Sequence, residues 1–124
     1  MKTQAESELQ ITVAQIERTM MKYSVLLDEK YNEYKNLIET RAQKKAEYKT
    51  AKYQKLLTLG NEPVTTKNIA IDGDKNVARL EMQYEIALGI ERACFESWKD
   101  TREKLATLRS LLSYHKAENF MGGS

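Results

Sequence analysis

Six basic side chains, Arg41, Lys44, Lys45, Lys49, Lys52 and Lys55, fall in the fifteen-residue stretch "RAQKKAEYKTAKYQK" against one acid, Glu47. At about 100° per residue all six share one face of a helix, and Tyr48 lies in the middle of their arc. Cations gathered on one face, with a ring between them, suit a polyanion: phosphates meet the ammonium and guanidinium groups, and an unpaired base can stack on the ring. The same pattern also describes a solvated helix face. Where the charge goes when the chain folds decides between the two.

The total charge is only +2, but it is unevenly spread. Residues 35–60 carry seven bases and two acids, whereas 61–98 carry four bases and seven acids. No other segment is so strongly polarised. In a chain that folds back on itself, positions 41–55 lie beside roughly 77–91, where Glu81, Glu85 and Glu91 outnumber Arg79. Ion pairs across the fold then use part of the basic charge and leave a surplus on the first segment. Exposed pairs are worth only about 0–1 kcal/mol each, so a competing phosphate can displace them.

Other chemistry finds little to work with. Cys94 and His115 are the only residues of their kinds, so no internal disulfide or multi-ligand Cys/His metal set can be assembled, and no Ser/His/Asp motif is recognisable. There is no glycine-rich phosphate loop, and paired acids such as Asp28 and Glu29 sit on helix surfaces. We expect no enzyme activity, no cofactor and no metal. No apolar run approaches the roughly 20 residues of a membrane span, and a single unpaired cysteine fits a reducing compartment, so a cytoplasmic protein is expected.

The elements that position the basic stretch read as helices. Charged residues make up 31% of the chain, with one proline and five glycines, a composition of long helices. Leu9, Val13, Ile16, Met20, Tyr23, Leu27, Tyr31, Tyr34 and Ile38 follow one another in steps of three and four, a heptad-like seam. It continues more thinly through Ala42, Ala46, Tyr53 and Leu57, which makes these the packing side opposite the basic face. Gly60 and Pro63 end this first helix. A second seam runs through Val77, Leu80, Tyr84, Leu88, Phe95, Trp98, Leu105, Leu108 and Leu112, after Asp72 or Asp74 as N-cap.

The expected architecture is all-α: a long antiparallel two-helix hairpin, coiled-coil-like, that completes its core by homo-oligomerisation. Residues 1–118 form a single helical domain with helix 1 at about 5–59, a loop at 60–73 and helix 2 at about 74–116. Thr65, Thr66, Ile69 and Ile71 hint at a short extended piece within the loop, and residues 119–124 form a flexible tail. Trp98, Leu105, Leu108 and Leu112 are the expected oligomer interface. A break of the first helix near Tyr31 to Asn36, giving a three-helix monomer, is the alternative, although no glycine or proline marks it. Gly89 interrupts the second helix at a cost of about 1 kcal/mol relative to alanine, either for close helix approach or for a kink.

With these parts in order, the sequence resembles the UvsY-type recombination mediators of T-even phages. The resemblance spans about Met21 to Lys116: "MKYSVLLDEKYNEYKNLIETRAQKKAEYK" in a long first helix, a polar loop, then "DKNVARLEMQYEIALGIERACFESW" opening the second. Its sharpest local matches are Ala42-Gln43-Lys44-Lys45 and Asp74-Lys75 followed by Val77. Lys49 is followed here by Ala51 and Lys52 where the family's pattern leads us to expect a Lys-x-Arg pair, so residue roles carry over only to Lys44, Lys45 and Lys49. The resemblance implies an oligomer that binds single-stranded DNA and helps a RecA-like recombinase replace single-strand-binding protein, in the cytoplasm of a bacterial host. An oligomeric coiled-coil protein of a virus or phage, acting on another protein as scaffold, chaperone or inhibitor, is the competing expectation.

Overall fold

The computed structural model describes the backbone of residues 4–122 and the side chains of 13–118. Three helices follow one another: α1 (Gln4–Thr58), α2 (Val64–Asp72) and α3 (Lys75–Gly122), with no strand among the described residues. The two long helices pack against each other. α1 is unbroken through Tyr31 to Asn36, so the alternative with a folded-back first helix does not occur.

α1 ends where Gly60 takes a left-handed conformation (φ 58°), which a residue with a Cβ adopts only at a cost. The region expected to be loop contains the nine-residue helix α2 instead. Its β-branched residues, Val64, Thr65, Thr66, Ile69 and Ile71, favour an extended chain locally, but tertiary packing overrides them. Ile71 is 5% exposed and joins Ala51 and Val77 in a small core covered by Tyr48, Leu56, Leu59 and Leu80. Pro63 begins α2 with its carbonyl accepting the Lys67 N–H at 3.0 Å, consistent with the proline's preset φ. Asp74 then caps α3, its Oδ1 accepting the Val77 N–H at 2.9 Å. α3 continues to Gly122, so the stretch read as a flexible tail extends the helix as far as the described residues go.

The chain divides into two units, one of Glu33–Phe95 and the other of α1 up to Asn32 with α3 from Glu96. Within the first, Arg41 meets Glu91 and, one heptad further along α1, Tyr48 stacks on Tyr84, one heptad back along α3. The pairing is therefore antiparallel. Covered positions on α3 run Val77, Leu80, Tyr84, Ala87, Glu91 and Cys94 here, and Trp98, Thr101, Leu105, Leu108, Leu112 and His115 in the other unit. These alternate steps of three and four without interruption, as a coiled-coil seam requires. Leu88 is half-buried beside this line and the Phe95 ring lies 5.6 Å from that of Tyr34, while the line itself also uses small and polar residues that apolar periodicity passes over.

On α1 the difference is larger. The line of covered positions facing α3 runs Ile16, Met20, Tyr23, Leu27 and Lys30, then Tyr34, Leu37, Arg41, Lys44, Tyr48, Ala51 and Lys55, with Leu26, Ile38, Lys45 and Leu56 half-buried beside it. Of the seam expected beyond Leu27, Tyr34 and Ile38 are half-buried, whereas Tyr31, Ala42, Ala46, Tyr53 and Leu57 are all exposed, Tyr53 at 62% and Leu57 at 65%. Part of the basic face, and not Ala46, Tyr53 and Leu57, is what α1 turns toward α3. In the other unit Lys30 occupies a seam position, its ammonium donating to Ser97 Oγ at 2.7 Å and Thr101 Oγ1 at 2.8 Å. Thr101 is 3% exposed, so this bond satisfies a hydroxyl that water cannot reach.

Leu105, expected at an oligomer interface, is only 2% exposed within its own chain and has no surface left for a second copy. Trp98 and Leu108 are half-buried in the same seam, while Leu112 also lines an open apolar groove with Met20, Met21 and Val25. Leu105→Ala should therefore lower the unfolding free energy by about 2–4 kcal/mol, as cavity formation at a filled site does. Tyr53→Ala should stay within about 0.5 kcal/mol, the usual range for surface changes. Urea denaturation followed by circular dichroism measures both; a reversed order would restore the face through Tyr53 as the packing side.

Candidate nucleic-acid interface

The seven residues singled out by their spacing separate into two sets on α1. Arg41, Lys44, Tyr48 and Lys55 stand on the covered seam, and Lys45, Lys49 and Lys52 stand along its flank. The split follows from helix geometry: 41, 44, 48 and 55 continue the three-and-four stepping of the seam, whereas 45, 49 and 52 lie one residue further round.

On the seam, charge is largely used within the chain. The Arg41 guanidinium donates from Nε to Glu91 Oε2 at 2.7 Å and from its Nη2 to Oε1 at 3.3 Å, a two-pronged contact. Glu91 is 8% exposed, so the arginine is what makes a carboxylate tolerable there. The hydrogen bond to Glu91, reinforced by its charge, raises the Arg41 pKa above its ordinary value. Lys55 lies 3.5 Å from Asp74, and Lys44 lies 3.6 Å from Glu47 on its own helix. The Asp74 carboxyl is held below the usual aspartate value, first by the Val77 backbone N–H and then by the Lys55 charge.

Tyr48 is also engaged. Its ring lies nearly parallel to that of Tyr84, 6.3 Å between centroids and 4° between planes, and it packs against the Ala51–Ile71–Val77 core. The Lys52 ammonium sits 5.8 Å from the same ring, within reach of a weak cation–π attraction. A base could therefore stack on Tyr48 only by displacing part of the fold. The sequence pattern placed an aromatic ring among the cations correctly but not its direction.

Lys45, Lys49 and Lys52 differ from the seam set. None of them forms an ion pair among the described residues; Lys49 and Lys52 are exposed and Lys45 half-exposed. At 1.5 Å per residue they span about 10 Å of α1, the length of about three nucleotides at 3.4 Å spacing. The flank offers point charges to phosphates and no donor–acceptor array that could read base edges. Compared with protein-family models, curated proteins and solved structures, the chain finds no match.

Replacing Asp74 with alanine tests how Lys55 and the α3 cap are held. A depressed folded pKa means that the ionised carboxylate stabilises the fold above the unfolded value of about 3.9, and that this contribution is lost as pH falls through the still lower folded value. Asp74→Ala should melt below the wild type at pH 7, and the two melting temperatures should converge in acid. A difference independent of pH would mean that the carboxylate charge contributes nothing.

Proposed function

We propose that this chain is a non-enzymatic, self-associating helical protein that binds single-stranded DNA, a recombination-mediator or accessory protein helping a RecA-like recombinase load on DNA covered by single-strand-binding protein. The observation that carries the DNA part is the Lys45–Lys49–Lys52 flank, which keeps its charge while Arg41 and Lys55 spend theirs on Glu91 and Asp74. The choice of a single strand and of a recombinase as partner rests on the resemblance of "RAQKKAEYK" and "DKNVARL" in their order to UvsY-type mediators.

Mechanistically, the flank attracts phosphates without reading sequence. Several copies brought together by self-association would multiply a weak contact through effective concentration. Lys44 and Lys55 stand beside the flank on side chains long enough to exchange a carboxylate for a phosphate, since partly exposed pairs have little to lose. Arg41 is the poorest candidate of the basic set, because releasing it would leave the buried Glu91 carboxylate alone. Tyr48 serves packing in this reading, and DNA affinity comes from charge.

A second reading is favoured by a separate observation: Tyr53, Leu57, Met82, Ile86 and Ile90 are large apolar side chains left half or more exposed. An oligomeric coiled-coil protein that acts on another protein, with no DNA affinity, would use such surface.

The deciding experiment is a fluorescence-anisotropy titration with unstructured single-stranded and duplex oligonucleotides across a salt series. The wild type should prefer the single strand and bind less tightly as salt rises. Lys45→Ala, Lys49→Ala and Lys52→Ala combined should weaken binding and flatten the log–log salt slope by about 2, at roughly 0.7 for each phosphate no longer neutralised. Helix content should be unchanged, since none of the three forms an ion pair among the described residues and alanine favours a helix. Unaltered affinity in the triple variant would remove the site assignment, and no binding at low salt would leave the protein-directed reading.

A further inference from the structure

The outer face of α3 carries a second pattern that the fold leaves uncovered. Lys75, Arg79, Met82, Ile86, Gly89, Ala93, Glu96 and Asp100 are all exposed, and they follow one another in steps of four and three along one unbroken helix. At 100° per residue they occupy an arc of about 100°, on the side of α3 away from its covered seam. Read along the helix, the face is two cations, then Met82, Ile86, Gly89 and Ala93, then two acids.

We propose that this face is the contact surface of an antiparallel, two-fold pairing with a second copy of the chain. The occupant follows from the charge order and the spacing. An antiparallel copy centred between Ile86 and Gly89 sets Ile86 against the partner copy's glycine, Met82 against its alanine, Arg79 against its glutamate and Lys75 against its aspartate. Every contact then occurs twice, as an isologous interface requires. A parallel copy would set like charges together at both ends. The stepping of four, three, four, three, four, three, four reads the same in both directions, so no residue falls out of register.

Gly89 gives independent support. A glycine inside a helix is costly relative to alanine, and a Cβ built at this position would meet nothing within 4 Å in its own chain. The chain itself gives no packing reason for the glycine. Against an isoleucine of a second α3, a missing side chain lets the helices approach closely, and Met82 against an alanine repeats the pairing of large with small. The present partners of the end charges are exchangeable: Arg79 donates to Asn76 Oδ1 at 2.9 Å, and Asp100 meets Lys104 at 3.0 Å, both on the exposed surface of the same helix. The paired stretch, Lys75 to Asp100, is about 39 Å long at helical rise, ample for a specific helix–helix contact.

The inference rests on the self-association in the reading above and is independent of DNA binding. Sedimentation equilibrium of the full chain tests it. The wild type should have at least twice the 14.3 kDa of one chain, and Ile86→Glu should halve that mass without loss of helix content. Arg79→Glu and Glu96→Arg should each raise the dissociation constant about tenfold or more, because each reversal creates two like-charge contacts, and the double variant should recover to within about threefold of the wild type. A wild type of single-chain mass would overturn both self-association and this interface. An oligomeric wild type that Ile86→Glu leaves intact, or single reversals that the double variant does not rescue, would overturn the interface and leave self-association standing.

Discussion

The Arg41–Glu91 ion pair is the constraint around which the Glu33–Phe95 unit is arranged. Both side chains occupy positions where a two-helix seam ordinarily places leucine or valine, and Glu91 is nearly inaccessible to water. Removing two charges from water is expensive, and their attraction in a poor dielectric recovers that cost only with good geometry. The two-pronged contact supplies it. Such a pair adds little net stability compared with two apolar residues, but it strongly penalises any other alignment. Sliding α1 by one heptad, two turns, would bury Glu91 against Tyr34 or Tyr48 and take Arg41 away from its carboxylate. Register is thereby set, and with it the Tyr48–Tyr84 stack and the placing of Lys55 beside Asp74.

The same constraint divides the basic stretch. Once Arg41 is committed to the seam, helix geometry commits Lys44, Tyr48 and Lys55 as well, because they lie on the same line of threes and fours. Lys45, Lys49 and Lys52 are then turned to the flank without any further choice. A stretch that looks like one six-fold cationic face in sequence is thus divided: the seam half positions α1 against α3 and the α2 core, and the flank half forms no ion pair among the described residues. Lys30, with its bonds to Ser97 and Thr101, places the same kind of polar marker in the other unit.

Much of the architecture was legible before folding. Gly60 and Pro63 marked the end of α1, Asp74 the start of α3, and Leu80, Tyr84, Leu105 and Leu112 traced the line of its seam. What misled was the assumption that a seam is apolar throughout. From Lys30 onward α1 uses Lys30, Arg41, Lys44 and Lys55 as seam residues, so a search for hydrophobic steps moved to Tyr31, Ala42, Ala46, Tyr53 and Leu57. Tyr34 was already on the expected seam, and continuing the stepping from it regardless of residue type would have reached Arg41 and Tyr48. The uncompensated glutamate at 91, on the matching line of α3, was the signal for its partner. α2 was obscured differently, since its β-branched residues favour a strand and only the burial of Ile71 beside Ala51 and Val77 makes a helix worthwhile.

The apolar residues that lie off the intrachain seam still have a physical meaning. Tyr53 and Leu57 on α1, and Met82, Ile86 and Ile90 on α3, are too many and too regularly placed to be scattered surface residues. Polar side chains set into the seam at Lys30, Arg41 and Glu91, and large apolar ones left on the outer faces, partly invert the usual order of a helical pair, in which the hydrophobic stripe is buried within the chain. That inversion is reasonable when the intrachain contact needs orientation more than strength, because a short connection through α2 already holds α1 and α3 together and keeps the entropy of closing the pair small. Contacts between separate chains have no such tether and must overcome the loss of translational freedom. The exposed Tyr53, Leu57, Met82, Ile86 and Ile90 are the side chains that the proposed self-association would draw on.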